Sequence, residues 1–137
     1  MSANGYPLSR TARSTLRTRS GLAFDDLTVE AAVGERLNMS DIGITSEALR
    51  SQAEIARRAG RATLAENLER GAELVAVPDE VIFEIYELLR PGRSRNREAL
   101  DAAAARLRRE HHAHKIADFI QEAAAVYEKR GLFSRRF

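Results

Sequence analysis

Three histidines, His111, His112 and His114, are the residues in this sequence whose type and spacing first suggest metal chemistry. His111 and His114 stand three residues apart, so a helix would place them on one face. The cluster falls where we predict a junction between two helices, with Glu110 and Asp118 as the nearest carboxylates. Histidines in a loop beside charged residues are usually solvated, and we expect no metal site here.

Other kinds of chemistry leave no clear signature. The chain has no cysteine, which excludes a disulfide, a thiol nucleophile and a thiolate metal site. There is no Gly-rich phosphate-binding loop, and Gly34, Gly60, Gly71 and Gly92 stand where helices would end or pack. Many carboxylates have arginine partners at helical spacing, such as Glu54 with Arg58 and Glu66 with Arg70. The sequence therefore predicts no catalytic, cofactor-binding or metal residue in this chain.

The apolar residues repeat with a helical period along most of the chain, and no segment alternates with period two. Thr28, Thr45 and Ser94 are the predicted N-caps, and the Pro91–Gly92 pair ends the third long helix. The fold class is therefore all-α, a small open helical bundle with an irregular N-terminal segment. The predicted helices lie at about 28–33, 46–59, 62–75, 79–90, 95–109 and 113–130.

The 137 residues divide into three predicted parts. Residues 1–24 contain no acidic side chain and form an extended or disordered arm, residues 25–44 form a short helix and connector, and residues 45–137 form the helical bundle domain. Arginines occur in the arm and near the C-terminus, and such termini can neutralise phosphates. A stand-alone helical adaptor or a nucleic-acid-binding protein is therefore an alternative, although the net charge is only +2 and the helical body is rich in acids.

No apolar run approaches the ~20 residues that a membrane span needs. The N-terminus carries positive charges without an apolar block behind them, which is unlike a secretory signal. We therefore expect a cytoplasmic protein that does not enter a membrane.

The segment 81–89 is more apolar than a surface helix of a small protein needs to be. Its seven apolar residues cover an arc of roughly 220° at 100° per residue, and its glutamates are confined to a narrow strip. Such a helix lies either at the centre of its own bundle or against another chain. The core elsewhere is rich in alanine, which buries little area, and this favours the second explanation.

Several longer segments resemble the small-subunit family of diol and glycerol dehydratases. They cover about residues 25–130, far more than a short motif. The similar segments are DDLTVE at 25–30, ITSEALRSQAEIA at 44–56, LAEN at 64–67, RGAEL at 70–74, AVPDE at 76–80, EIY at 84–86, LRPGRS at 89–94 and FIQEAA at 119–124.

The resemblance implies a lyase complex in which this chain is a non-catalytic small subunit. Such enzymes use adenosylcobalamin to convert a vicinal diol, 1,2-propanediol or glycerol, to an aldehyde and water. The cofactor would be bound by the large and medium subunits and not by this chain, and the assembly would be a dimer of three-chain units. Some members enter bacterial microcompartments through a longer N-terminal extension; the short arm here weakens that expectation without removing it.

The resemblance implies that some of the matching residues either contact a partner subunit or help define the fold that supports this contact. Tyr86 and Arg93 are of the residue types that dominate interface energetics. The simpler alternative is that 77–79 only starts a helix and that Arg90 only favours the helix dipole. The expected interface residues are Val77, Pro78, Phe83, Tyr86, Arg90 and Arg93.

Overall fold

The computed structural model describes residues 5–133, and within this range the fold is all-α, as predicted. No strand forms among the described residues; Arg17 and Ala23 make an isolated antiparallel bridge. Three 3₁₀ turns lie at Arg13–Thr15, Phe24–Asp26 and Met39–Asp41. The helices are α1 (Leu8–Thr11), α2 (Val29–Val33), α3 (Ser46–Arg58), α4 (Ala62–Leu74), α5 (Asp79–Leu89), α6 (Arg97–His111) and α7 (His114–Lys129).

The chain forms two compact units, Met1–Val75 and Ala76–Phe137. The boundary between them falls inside the segment 45–137 that we predict to be one bundle domain. The division into an arm, a connector and a single bundle domain stays a prediction.

In the first unit, α3 and α4 pack along their lengths through small side chains. Thr45 caps α3, since its hydroxyl accepts a hydrogen bond from the Ala48 N–H at 3.1 Å. Gly60, with φ +75°, takes the left-handed conformation that turns the chain into α4. Alanine dominates this core, which lets the two backbones approach closely but buries little apolar area. The core residues are Ala53, Ala56 and Ala65, with Leu68 against them.

A buried carboxylate ties the N-terminal segment to the rest of the first unit. Asp41 is 4% exposed and accepts hydrogen bonds from the Thr18 hydroxyl at 3.0 Å, the Ser20 hydroxyl and the Asn38 N–H at 2.9 Å. The Ser20 and Asn38 hydrogen bonds lower the pKa of Asp41, because they stabilise its charged form. Arg19 donates to the Ile44 carbonyl at 3.1 Å, so residues 18–20 are fixed at two points.

In the second unit, α6 and α7 pack against each other around fully buried Leu100, Leu107 and Ile120. The turn between them places His112 in the left-handed region at φ +52°. Ion pairs join the same helices, with Arg97 to Glu128 at 2.6 Å.

The predicted N-cap at Ser94 is wrong. Asn96 caps α6, because its side-chain oxygen accepts from the Ala99 N–H at 3.1 Å. Ser94 is buried and its hydroxyl instead donates to the Leu88 carbonyl at 2.6 Å, which satisfies a carbonyl near the end of α5. The sixth helix therefore begins and ends two residues later than predicted; the bounds of the other long helices agree to within about one residue.

Candidate partner interface

Helix α5 exposes the two largest side chains that it carries. Val81 and Ile85 are buried, and the other aliphatic residues of the helix are half-buried, but Phe83 is 68% exposed and Tyr86 is 60% exposed. Phe83 and Tyr86 are three residues apart, so they are neighbours on one face. The most apolar helix of the chain thus directs its aromatic residues at solvent and not at its own core.

The other side of α5 is attached to its own unit. The Glu84 carboxylate accepts a hydrogen bond from the Arg106 guanidinium of α6 at 2.8 Å. The Tyr127 hydroxyl of α7 donates to the Leu89 carbonyl. A shallow groove of about 160 Å³ remains between α5 and α6 beside Ile85. These contacts attach α5 to α6 and α7 of its own unit.

The segment before α5 contributes one surface residue and one core residue. Pro78 is the exposed N-cap residue with φ −58°, an angle that its ring fixes. Val77 is only 4% exposed. Its side chain therefore lies in the interior of its own chain, and direct contact of Val77 with a partner stays a prediction.

Charged side chains border the aromatic pair at the C-terminal end of α5. Glu87 accepts from Arg90 at 2.9 Å and lies 3.8 Å from Arg93. The Glu87 contact raises the pKa of Arg90 above its usual value. Both arginines remain exposed, as does Gly92, whose φ of +81° allows the turn that brings Arg93 back toward Glu87.

These exposed residues make up a candidate surface on α5 and the segments beside its two ends, with an aromatic pair and two arginines. We call it the α5 surface. It comprises Pro78, Phe83, Tyr86, Arg90 and Arg93, five of the six residues that the sequence singled out.

The first unit has an exposed apolar set that sequence reasoning missed. Val29 and Val33 of α2 are 75% and 79% exposed, and their i, i+4 spacing on a short helix was the available signal. Ile42 and Ile44 are also exposed and line an apolar groove of about 340 Å³ together with Leu16.

The histidines lie where the sequence placed them, at the α6–α7 junction. His111 ends α6, His112 is the C-cap and His114 begins α7. Among residues 5–133, no three histidine or carboxylate side chains converge in a way that could hold a metal ion.

The arginines of the predicted arm largely contact their own chain. Arg13 hydrogen-bonds Asp25 at 2.6 Å and lies 4.7 Å from the centre of the Phe24 ring. Arg17 donates to two nearby carbonyls, at 2.8 and 2.9 Å. Arg135 and Arg136 lie outside the described residues. These contacts are all made within the chain, and they give the nucleic-acid alternative no support.

Comparison with known proteins identifies the family. The model of the dehydratase small-subunit family matches residues 1–134. This chain belongs to that family. It is 45% identical over 125 residues to the propanediol dehydratase small subunit of Citrobacter freundii, and 44% identical over the same length to that of Salmonella typhimurium strain LT2. Each match covers 91% of this chain and 72% of the relative.

Membership of the dehydratase small-subunit family implies that this chain has larger partner subunits. Within the described part of the chain, no helix has both the length and the hydropathy that crossing a membrane requires.

Proposed function

We propose that this chain is the non-catalytic small subunit of an adenosylcobalamin-dependent diol dehydratase and that it packs on the large subunit through the α5 surface. The names of its two relatives favour 1,2-propanediol as the substrate, and glycerol is the second candidate. The large subunit would carry the substrate and the catalytic residues. The contribution of this chain is to assembly and not to the reaction.

The observation that carries the docking proposal is the exposure of Phe83 and Tyr86 on the most apolar helix. Contiguous aromatic residues on the surface of a soluble chain usually mark an interface. Tyrosine and arginine are enriched among the residues that dominate binding energy, and they act best when a less critical rim excludes water around them. Phe83 and Tyr86 form such a centre, with Arg90 and Arg93 at its edge.

The cofactor is proposed to lie on the other subunits. Adenosylcobalamin is larger than the ligands that fill pockets of about 300–1,000 Å³, whereas the groove beside Ile42 holds about 340 Å³ and is open to solvent. The described grooves of this chain therefore do not fit the cofactor. We assign no residue of this chain to it.

The proposed assembly contains a large, a medium and a small subunit, as a dimer of three-chain units. We propose that it acts in the cytoplasm, either free or inside a bacterial microcompartment.

The experiment is co-expression of the tagged chain with the large and medium subunits from the same genome, followed by affinity purification and a diol dehydration assay with adenosylcobalamin. Co-elution of both partners and formation of aldehyde would support the function. A chain that elutes alone, with partners that are soluble and active without it, would refute it. The double variant Phe83→Ala, Tyr86→Ala should abolish co-elution, whereas the matched variant Val29→Ala, Val33→Ala, on another exposed apolar pair, should not.

A further inference from the structure

Four exposed residues, three of α5 and its C-cap residue Arg90, form a narrow stripe. Asp79, Phe83, Tyr86 and Arg90 stand at i, i+4, i+7 and i+11, and at 100° per residue they fall within an arc of about 60°. All four are exposed. Along the helix the order is acid, aromatic, aromatic, base.

The order acid, aromatic, aromatic, base is complementary to the same stripe on a second helix that runs in the opposite direction. The midpoint between Phe83 and Tyr86 coincides with the midpoint between Asp79 and Arg90, halfway between residues 84 and 85. A second α5 that runs antiparallel about this point would therefore place each Phe83 against the partner's Tyr86. The same rotation would place each Asp79 against the partner's Arg90, so both ends of the contact carry opposite charges.

We infer that the unassembled chain forms a homodimer through antiparallel packing of two α5 helices. The contact is isologous, since the same patch serves both copies and a two-fold axis closes it. Edge-to-face or offset contact of the four aromatic rings fills its centre. The two charged pairs at its ends fix the antiparallel register, which a purely apolar stripe would leave open.

The size of the stripe sets the strength of this dimer. Asp79 and Arg90 are about 16 Å apart along the helix axis. A helix–helix contact of that length buries less area than the standard interface of about 1,600 Å². We expect a dissociation constant in the micromolar range. Such a dimer covers the aromatic pair while the chain is alone and still opens when a larger interface is offered.

The dimer and the docked subunit exclude each other, because both use the α5 surface. This competition rests on the proposed function, whereas the dimer itself rests only on the stripe. The two ideas therefore fail separately: the dimer is tested on the chain alone, and docking is tested with the other subunits present.

The first test is sedimentation equilibrium of the full chain over a range of concentrations. The native chain should show a monomer–dimer equilibrium, and Phe83→Ala should weaken it by about 100-fold, because two copies of the residue are lost from the centre. Val33→Ala, an equally exposed change in the first unit, should leave the equilibrium unchanged. A native chain that is monomeric up to several hundred micromolar, or a dimer that is indifferent to Phe83→Ala, would overturn the inference.

The second test exchanges the charges at the ends. Asp79→Arg or Arg90→Asp alone should weaken the dimer by about tenfold, because each puts like charges opposite each other at both ends. The double variant Asp79→Arg, Arg90→Asp should restore it, since the reversed stripe is again self-complementary. Failure of the double variant to recover, with helix content unchanged by circular dichroism, would contradict the antiparallel register.

The third test does not need the purified chain to remain stable alone. Because the chain has no cysteine, Asp79→Cys, Arg90→Cys creates the only two thiols, which are too far apart on one rigid helix to join. In cells that express this chain without the other subunits, a short bismaleimide should yield a covalent dimer. Each single-cysteine variant is the matched control, since position 79 does not face its own copy. Equal cross-linking of the single and double variants, or none with the double variant, would overturn the inference.

Discussion

The exposed area of Phe83 sets the loss of binding free energy that we expect when its ring is removed. A phenylalanine buries about 200 Å² when fully covered, and 68% of this residue is exposed, so about 130 Å² remains for a partner to cover. At ~25 cal/mol per Å² that area corresponds to about 3 kcal/mol. Phe83→Ala, which keeps the Cβ, should therefore weaken binding to the complex of large and medium subunits by about 2–3 kcal/mol, a factor of roughly 30 to 150 in Kd.

The assay is a titration of the purified small subunit onto a complex of the other two subunits, at nanomolar concentration so that self-association does not compete. The free energy of unfolding of the same variant should lie within about 0.5 kcal/mol of that of the native chain, because an exposed side chain contributes little to folding stability. Val33→Ala serves as the control for loss of an exposed apolar side chain. A Kd that changes less than threefold, or a large loss of folding stability, would refute the reasoning, since the second result would make Phe83 a core residue.

Three further predictions concern the fold that holds the α5 surface and the N-terminal segment. Leu107→Ala removes a fully buried side chain and should lower the free energy of unfolding by about 2–5 kcal/mol in urea denaturation; a loss below 1 kcal/mol would show that the α6–α7 core is not as described. Asn96→Ala removes the hydrogen bond to the Ala99 N–H and should cost about 0.5–2 kcal/mol, with reduced helix signal in circular dichroism; an unchanged signal would contradict this cap. The lowered pKa of Asp41 means that its contribution to stability is complete above the unfolded-state value of about 4 and is lost as the pH falls through its lower folded value. Unfolding measured from pH 3 to pH 7 should therefore show a weaker acid dependence for Asp41→Asn than for the native chain, and equal slopes would disprove the role of this carboxylate.

The long helices were predictable because their signals are local. Thr28 and Thr45 cap the helices that follow them, and the glycines after α3 and α7 end those helices in the left-handed region. The cap at Ser94 was wrongly predicted because a serine two residues before an asparagine offers two possible caps. The hydrogen bond from Ser94 to the Leu88 carbonyl, which decides between them, depends on how α5 ends and not on the local sequence.

The candidate interface was only partly predictable. The sequence shows that α5 is too apolar for a surface helix, but it does not show which side of that helix is covered by its own unit. The contact from Arg106 to Glu84 and that from Tyr127 to Leu89 settle this, since they anchor one side and leave Phe83 exposed. The link between Asp41 and residues 18–20 was not anticipated, because hydrogen bonds between distant loop residues leave no periodic signal.

The most direct test of the docking proposal is hydroxyl-radical footprinting of Phe83 and Tyr86, read by mass spectrometry. The chain is labelled free at a concentration where it is monomeric and then within the purified complex with the large and medium subunits. We predict that labelling of both aromatic residues falls at least severalfold on assembly. Equal labelling of both residues in the free and assembled chain would contradict the account and would direct attention to the exposed apolar set of the first unit.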